Sequence, residues 1–352
     1  MEDEFYIDYA KLDEIQRSFV DRRVNRSMVV TGKAGSGKSV IALHKAKQVS
    51  QLGSYAVIVF TKSLKKYFRD GMRALGLSNV YYYQEWKKLG DARTKVKYLI
   101  VDECQDFSSE EIAELRSYGE ICFFFGDTDQ SIMSFRAPLQ SVRQTADAIG
   151  VEMDKLYKNY RLTIENAILA EQIGNLDDLV EICERHGAKP SIFKEPNIDR
   201  QLDKIIAIIK NQSLSNVGIL MRFNTRASAL SRVGNEKLSV EYVKDFFESK
   251  GITVEYKYNM NADTAMDLDF HSTNPKILTW WCAKGLQFKD VFLPMCEITH
   301  EDDIRAALYV AVSRTSERLY LTYSNQLFTW FPDESSDVYA NPIVDDKVEL
   351  PF

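Results

Sequence analysis

The residue types and spacing that most directly predict chemistry lie in the stretch TGKAGSGKS, at positions 31–39. Gly32, Gly37, Lys38 and Ser39 fit the pattern G-x-x-x-x-G-K-[ST]. In this pattern, backbone N–H groups surround phosphate oxygens, the lysine neutralises the β- and γ-phosphates, and the hydroxyl ligates Mg²⁺. The stretch therefore predicts a site for a nucleoside triphosphate with Mg²⁺.

A strand and a helix must position this loop, and the sequence predicts both. Residues 26–31 (RSMVVT) are typical of a short apolar strand, and apolar residues recur at helical spacing from Lys38 onward. Gly32, Gly35 and Gly37 allow the tight curl of the loop, and the start of the helix adds the positive end of its dipole. The alternative is a glycine-rich turn without function, which would need strand, loop and helix to coincide by chance.

Two further groups of polar residues follow apolar runs. Residues 98–101 lead into Asp102 and Glu103, and residues 121–125 lead into GDTDQ at 126–130. Because the carboxyl ends of parallel strands meet at one edge of a sheet, we predict that these groups converge on the phosphate loop. One of the two carboxylates would hold Mg²⁺ and the other would orient or activate the attacking water. An acidic cap on a strand is the alternative.

The order of these runs predicts the fold class and the domains. Near-continuous apolar strands with helical stretches between them are typical of an α/β fold with a parallel sheet. A length of 352 residues suggests two domains, and the pattern restarts near Gly150. We predict a first domain over 1–149, a second α/β domain without its own phosphate loop over 150–332, and an irregular acidic tail over 333–352.

Two arginines in the second predicted domain are candidates to complete the site. Arg161 and Arg314 lie among apolar or structured residues, and either could reach a γ-phosphate across a cleft as an arginine finger. Such a finger raises the rate of triphosphate hydrolysis by roughly 10³–10⁵-fold. A structural ion pair is the alternative for each of them.

Composition excludes several classes of protein. The net charge of −6 excludes a broadly basic surface, so any nucleic-acid contact would lie in a local groove and be sensitive to salt. The five cysteines are scattered without a C-x-x-C pair, which predicts neither zinc nor disulfides and fits a reducing cytoplasm. The acidic start MEDEFYIDYA is unlike a signal peptide, and no apolar run approaches the roughly 20 residues of a membrane span. We expect a cytoplasmic protein without a membrane partner.

Nine segments, in order, resemble the motifs of superfamily 1 helicases and translocases of the UvrD, Rep and PcrA group, and they extend from Leu12 to about Tyr323. They are LDEIQRSFV, TGKAGSGKS, VIVFTKSL, VDECQD, GDTDQSIMSFR, LYKNYRLT, LMRFNTRASAL, WCAKGLQFKDVFL and LYVAVSRTSERLYL. All nine in order are far more specific than any single one. The resemblance implies two RecA-like P-loop domains, each a mostly parallel sheet flanked by helices, with an ATP cleft between them.

The first of these segments, residues 12–20, is typical of an amphipathic helix. The pattern places Ile15 on its apolar face and Gln16 on its polar face, where a solvated glutamine is the ordinary interpretation. The resemblance instead implies that Gln16 contacts the adenine edge of ATP.

The resemblance also assigns the catalytic roles. Asp102 would bind Mg²⁺ and Glu103 would be the catalytic base. Gln130 would sense the γ-phosphate and couple it to the nucleic-acid site. Arg161 and Arg314 would be two arginine fingers from the second domain.

One residue of the implied ATP site departs from the family pattern. Gln287 stands in KGLQF, where the family usually has KGLEF. It keeps hydrogen-bonding capacity but not the charge, at a position expected to contact the nucleotide sugar.

The resemblance further implies that single-stranded DNA crosses the top of both domains. Phe60 and Phe135 match positions where bases stack on aromatic rings, with Arg136 beside them, and such stacking contributes ~1–3 kcal/mol per base. Core packing is the alternative for both rings. The positions that match backbone contacts are Thr61, Lys284 and Gly285. Stacking and backbone contacts serve both nucleic acids, so they leave DNA and RNA open.

Large inserted subdomains of the family have no room in this chain. Only residues 65–95 separate two motifs where the first insertion would lie, and residues 163–276 hold the second core domain and little more. We expect an ATP-driven motor on single-stranded DNA, moving 3′→5′ and unwinding weakly by itself.

A second hypothesis is an ATP-dependent sensing or regulatory subunit that acts with a nuclease partner. Small helicase-like chains of this kind resemble subunits of bacterial anti-phage systems such as Gabija. A motor should hydrolyse ATP with DNA alone, whereas a subunit should need its partner.

Overall fold

The protein folds as two α/β units. In the computed structural model, structure is described for residues 7–133, 138–257, 266–297 and 304–341. The first unit comprises Met1–Arg161 and Lys284–Leu286, and the second comprises Leu162–Ala283 and Gln287–Phe352. Each unit contains a mostly parallel sheet flanked by helices, which confirms the predicted fold class.

A six-stranded sheet forms the centre of the first unit. Its strands are β1 Met28–Gly32, β2 Tyr55–Val59, β3 Val80–Tyr82, β4 Val96–Val101, β5 Gly119–Gly126 and β6 Met153–Leu156. They lie in the order β3-β2-β4-β5-β1-β6, and all pairs are parallel. The helices are α1 Glu14–Asp21, α2 Lys38–Ser50, α3 Lys62–Tyr67, α4 Arg69–Leu75, α5 Tyr83–Lys88, α6 Ser109–Tyr118 and α7 Val142–Ile149.

The central strands of this sheet are buried on both faces, as their continuous apolar runs predict. Every residue of β2 is buried, and so are the last four residues of β4 and the last five of β5. Helices cover both faces, so alternation of polar and apolar residues is not required. Because β5 lies beside β1 and β4 lies beside β5, the polar residues after both strands reach the phosphate loop.

The second unit is built on a seven-stranded sheet and a separate two-stranded one. Strand β7, Asn159–Thr163, begins in the first unit and ends in the second. The other strands are β8 Cys183–Arg185, β9 Ser191–Lys194, β10 Val217–Met221, β11 Glu255–Lys257, β12 Met266–Asp267, β13 Lys276–Thr279, β14 Phe288–Leu293 and β15 Thr315–Tyr323. The larger sheet has the order β12-β11-β13-β10-β14-β15-β9, with only β11 and β12 antiparallel among the described pairs, and β7 pairs with β8. The helices are α8 Ile164–Gly174, α9 Ile198–Asn211, α10 Arg226–Val233, α11 Val240–Ser249 and α12 Arg305–Val312.

The first unit continues past the predicted boundary at residue 149. Strand β6 pairs in parallel with β1, with Val30 opposite Asp154, and adds the last strand on that side of the sheet. The division between the units therefore follows Arg161. The short, half-polar β6 carries little strand signal of its own, because only Leu156 in it is fully buried.

The beginning of the predicted tail packs on the second unit. Tyr339 is 2% exposed. The side-chain amide of Asn341 donates to the carbonyl of Ile192 (2.9 Å) and accepts from its N–H (3.1 Å) on the outer edge of β9. These contacts cover an edge strand that would otherwise offer backbone groups to another chain. Within the described ranges, no helix is long and apolar enough to cross a membrane.

Candidate active site

The phosphate loop joins β1 to α2, and two of its glycines are required by the backbone. Gly35 and Gly37 have φ angles of +81° and +84°, which glycine adopts without strain. A Cβ atom at Gly35 would lie 2.7 Å from Cβ of Arg161, and one at Gly37 would lie 2.5 Å from Nε2 of Gln16. The two glycines therefore also allow the close approach of two predicted site residues.

The donors of this loop fit phosphate oxygens. The Lys38 ammonium donates to the carbonyls of Gly32 (2.6 Å) and Lys33 (3.2 Å), so it lies folded over its own loop. The Ser36 hydroxyl is buried and has no hydrogen-bond partner among the described residues. The loop's curl is typical of an anion cradle.

Oxygen ligands for a hard cation lie directly beside the loop. The Ser39 hydroxyl donates to Oδ2 of Asp102 at 2.6 Å. Burial, followed by the charge of Glu103, raises the pKa of the Asp102 carboxyl, and Ser39 and Lys38 oppose that shift. The described residues contain no cluster of three His, Cys, Asp or Glu side chains that could hold a metal alone. This pair of oxygens fits Mg²⁺, which is commonly held by few protein ligands together with substrate phosphates and water.

Glu103 is held in an unusual backbone conformation immediately after β4. Its φ of 57° and ψ of 42° lie in the left-handed region, where non-glycine residues are strained. Strained residues of this kind often occur at functional sites. Gln105 Nε2 donates to Glu103 Oε2 at 2.6 Å, and the Lys284 ammonium lies 3.8 Å from the same oxygen. These neighbours fix the carboxylate beside Asp102, as a general base requires.

Hydrogen bonds continue from Glu103 to the loop after β5. Oε1 of Gln105 accepts from the N–H of Asp127 at 2.9 Å, and Gln130 Nε2 donates to Asp127 Oδ2 at 2.6 Å. Gln130 is buried. The strand ends of β4 and β5 thus converge, and the predicted base and the predicted phosphate sensor belong to one network.

A second lysine joins this loop to the phosphate loop. The Lys33 ammonium lies 2.6 Å from Oδ2 of Asp129, and both side chains are partly exposed. Asp129 directly precedes Gln130. The pair ties the first residue after Gly32 to the segment that carries the predicted phosphate sensor.

Lys284 and Gly285 belong, with Leu286, to the first unit, although the residues on both sides of these three do not. Lys284 is 1% exposed, lies 2.6 Å from Oδ2 of Asp106, and donates to the carbonyl of Gln130. Burial raises the pKa of Asp106 to about 6, against the opposing effect of Lys284. Because this ammonium faces carboxylates rather than the surface, the predicted nucleic-acid contact would have to use main-chain groups, and it stays a prediction. At Gly285 φ is +78°, and a Cβ there would lie 2.7 Å from Cδ1 of Leu64.

The first helix turns Gln16 inward, which corrects the predicted orientation of this helix. Asp13 caps α1: its Oδ1 accepts from the N–H of Gln16 at 2.8 Å, while Gln16 Oε1 accepts from the N–H of Asp13 at 3.3 Å. Gln16 is 4% exposed and Ile15 is 42% exposed, so the expected apolar and polar faces were wrong at both positions. The cap starts the helix at Glu14, and this start sets which side chains face the core.

Arg161 also needs a correction, because it belongs to the first unit rather than the second. Its N–H donates to Oδ1 of Asn159 at 2.9 Å, and Asn159 Nδ2 donates to the carbonyl of Ala34 at 2.6 Å. The following Tyr160 donates its N–H to the carbonyl of Gly35 at 2.9 Å, and its hydroxyl bonds to Asp13. Sequence reasoning missed Asn159 and Tyr160, whose only signal was their position directly before the candidate arginine.

The other candidate arginine lies in the second unit. Arg314 is 1% exposed, and at the end of α12 its guanidinium donates to the carbonyl of Val310 (2.8 Å) and to the Ser313 hydroxyl (2.9 Å). Gln287 is partly buried and immediately precedes β14. The nucleotide contacts of Arg314 and Gln287 stay predictions.

The predicted nucleic-acid residues of the first unit are only partly described. Phe60 is partly exposed and packs edge to face on Phe107, with ring centroids 5.1 Å apart. Thr61 caps α3 by accepting from the N–H of Leu64 at 3.1 Å. Phe135 and Arg136 lie outside the described residues, so their roles in nucleic-acid binding stay predictions.

Comparison with known families finds matches to two segments of the chain. Residues 28–188 match the viral superfamily 1 RNA helicase core domain, and residues 277–322 match the UvrD-like helicase C-terminal domain. Over these two segments the chain resembles superfamily 1 helicases. Both matches fall on segments that the motif resemblance predicts, one with the phosphate loop and one with Arg314.

A curated relative of this chain is the mitochondrial ATP-dependent DNA helicase HMI1 of Saccharomyces cerevisiae. The two are 27% identical over 179 residues, which cover 44% of this chain and 25% of the relative. The chain therefore spans about a quarter of the length of the curated relative it matches.

Solved structures similar to this chain include two viral helicases. Arterivirus nonstructural protein 10, a helicase solved with DNA, is 16% identical with a TM-score of 0.45, and the match covers 87% of this chain and 62% of that one. The PRRSV helicase is 14% identical with a TM-score of 0.46, covering 88% of this chain and 54% of that one. The C-terminal domain of a possible DNA helicase from Lactobacillus plantarum is 18% identical with a TM-score of 0.37, covering 51% and 96%.

Proposed function

We propose that this protein is an ATP-driven motor on single-stranded DNA. The observation that carries the proposal is the hydrogen-bonded array on the phosphate loop, in which Ser39 contacts Asp102 and Glu103 connects through Gln105 to Asp127 and Gln130. A hydroxyl and two carboxylates beside a phosphate loop suit hydrolysis of a triphosphate. A sensor in the same network suits the coupling of hydrolysis to movement.

Each residue of the array has a stated role in this mechanism. Lys38 and the loop N–H groups bind the β- and γ-phosphates. Ser39 and Asp102 would hold Mg²⁺, which would supply positive charge next to the phosphate oxygens. Glu103 orients the attacking water and accepts its proton. Gln105 keeps the Glu103 carboxylate in place through its 2.6 Å hydrogen bond.

The adenine and arginine roles complete the proposed ATP site. Gln16 contacts the adenine edge, and Arg161 and Arg314 stabilise the charge that develops on the γ-phosphate. In support, Gln16 and Arg161 both lie within the space that Gly37 and Gly35 leave open on the phosphate loop. Gln287 contacts the nucleotide sugar.

The proposed substrate is single-stranded DNA, with 3′→5′ movement and weak unwinding by the isolated chain. Phe60 stacks a base, and Thr61 and the main chain of Gly285 contact the strand, as do Phe135 and Arg136. The name of the yeast relative supports DNA, and the viral RNA helicase match makes RNA the outcome to test against it.

The deciding experiment is a steady-state ATPase assay with no nucleic acid, single-stranded DNA, duplex DNA and RNA, run beside Glu103→Gln. Strong stimulation by single-stranded DNA that the variant abolishes is the expected result. If RNA stimulated hydrolysis and single-stranded DNA did not, the substrate would be RNA instead of DNA. A low rate that no nucleic acid changes would overturn the motor proposal and favour a regulatory subunit that needs a partner, such as a nuclease in antiviral defence.

A further inference from the structure

A buried lysine outside the phosphate loop joins two helices of the site. Lys45 lies on α2 and is 0% exposed. Its ammonium donates to the carbonyl of Val20 at 3.0 Å and to that of Phe19 at 3.5 Å, and it also contacts the carbonyl of Arg22. All three acceptors lie at the C-terminal end of α1.

These contacts have a clear physical basis. The last carbonyls of a helix have no partner within the helix and carry the negative end of its dipole. The Lys45 ammonium supplies three donors to them and lies 5.5 Å from the centre of the Phe123 ring. Burial lowers the pKa of Lys45 to about 8, so most of the protein retains the charged form at neutral pH. Lys45 is therefore a cationic cap on α1 supplied by α2.

The opposite end of α1 is fixed as well. Asp13 forms the capping box with Gln16, and the Tyr160 hydroxyl bonds to Asp13. An isolated helix of eight residues would be marginal, so its position depends on such tertiary contacts. Gln16 lies between the two fixed ends, facing Gly37 of the phosphate loop.

The same helix that begins with the phosphate-binding lysine thus also determines where α1 lies. Lys38 starts α2, and Lys45 follows two turns later, about 10 Å along the axis. A shift of α1 against α2 would change the separation between the adenine contact and the phosphate loop. Even a displacement of a binding group by about 1 Å can lower the reaction rate by up to about 10²-fold.

We propose that Lys45 is a positioning residue for base recognition: it holds α1 on α2, so that Gln16 meets the adenine of a nucleotide bound to the phosphate loop. This inference rests on the proposed role of Gln16 and deepens it. Through Lys45, the position of the adenine contact would depend on the helix that also carries the phosphate-binding lysine.

The test compares the affinities of the full chain for fluorescent ATP and GTP analogues. Lys45→Met keeps the length of the side chain and removes the donors. We expect its ATP affinity to fall about tenfold while GTP affinity changes less than about twofold, because only the adenine contact is displaced. KM for ATP should rise with kcat nearly unchanged.

Lys45→Gln retains two donors on one amide. Its ATP affinity should lie between those of Lys45→Met and the wild type, and this variant decides the question if Lys45→Met does not fold.

Two control variants separate the outcomes. Val49→Ala, one turn further along α2, removes buried methyl groups while leaving the Lys45 cap in place, and should lower the Tm without changing the ratio of ATP to GTP affinity. Gln16→Ala should remove the preference for ATP. If Gln16→Ala removes the preference and the Lys45 variants keep it, Lys45 is only a core lysine and the positioning role is overturned. If Gln16→Ala leaves the preference intact, the adenine role itself fails, whereas stimulation of ATPase by single-stranded DNA would be unaffected.

Discussion

At the scale of single residues, the carboxylates after β4 carry the proposed chemistry. Asp102 and Glu103 are adjacent, yet the first hydrogen-bonds to the phosphate-loop hydroxyl and the second to Gln105. The left-handed backbone at Glu103 sends the two side chains to different partners. Two roles can therefore arise from consecutive residues.

Glu103→Gln should lower the rate of ATP hydrolysis by about 10²–10⁴, since it removes the proton acceptor. The glutamine is nearly isosteric, so nucleotide affinity should stay within about threefold. Single-turnover hydrolysis and equilibrium binding measure the two effects separately. An unchanged hydrolysis rate would assign the base to another group, and a large loss of affinity would indicate that Glu103 binds rather than activates.

Asp102 should make stability depend on pH in a defined direction. Between its ordinary pKa and its raised one, the native state holds a proton that the unfolded chain has released, so the free energy of unfolding falls as pH rises through that window. Asp102→Asn should therefore raise the free energy of unfolding by about 1–2 kcal/mol at pH 8 and by less at pH 5. Urea unfolding at both values tests this. The exposed Asp147, 3.4 Å from Arg143, provides the control, because its change to Asn should give no such gain. An equal gain at both pH values would contradict the prediction.

At the scale of elements, the turn from β1 into α2 determines whether the site can form. Gly37 occupies the residue before α2 with φ +84°, and Gln16 lies in the space that a Cβ would fill. The geometry of one loop and the orientation of α1 therefore depend on the same position.

Gly37→Ala should destabilise the protein by about 1–2 kcal/mol through the positive φ, and should also weaken nucleotide binding by displacing Gln16. Gly150→Ala is the matched control: φ there is +77°, and among the described residues no atom beyond its chain neighbours lies within 4 Å of the added Cβ. It should lower the Tm without changing nucleotide affinity. Equal affinities in the two variants would show that the space above Gly37 does not matter for binding.

At the scale of the whole molecule, each unit has a sheet whose edge strands could pair with another chain unless they are covered. In the second unit the segment around Tyr339 and Asn341 covers β9, using an amide side chain where a strand would use its backbone. Tyr323 adds a hydrogen bond to Glu334. The acidic segment predicted as an irregular tail therefore has a structural function over its described part.

Deletion of residues 333–352 should lower the free energy of unfolding by about 2–3 kcal/mol, the value of burying one large side chain such as Tyr339. It should also promote self-association through the uncovered edge of β9. Thermal unfolding and size-exclusion chromatography measure both effects. Deletion of 342–352 alone keeps the contacts described here and should change neither. A monomer with wild-type Tm after the longer deletion would show that the segment is dispensable.

Much of this organisation could be predicted from the sequence, because it is encoded locally. The phosphate loop needs glycines at fixed positions between a strand and a helix, and buried parallel strands need continuous apolar runs. The convergence of Asp102 and Gln130 on the loop then followed from a general property of parallel sheets. Short elements such as β3 and β6 gave too little periodicity to be predicted.

What only the tertiary structure decided are choices between partners distant in the chain. Local pattern placed Gln16 outward, but the Asp13 cap and the contact with Gly37 turn it inward. Arg161 joined the first unit because Asn159 and Tyr160 bond to the phosphate loop rather than because of any signal in its own neighbourhood. Lys45 looks like an ordinary surface lysine in sequence, and Lys284 matches a motif position expected to contact nucleic acid. Both are nevertheless buried on acceptors that other elements supply. The sequence by itself determined the loop, the strands and the motif resemblance, since these depend on residue type and spacing. The tertiary structure determined which buried charge meets which acceptor, since a charge removed from water must find its partner wherever the fold provides one.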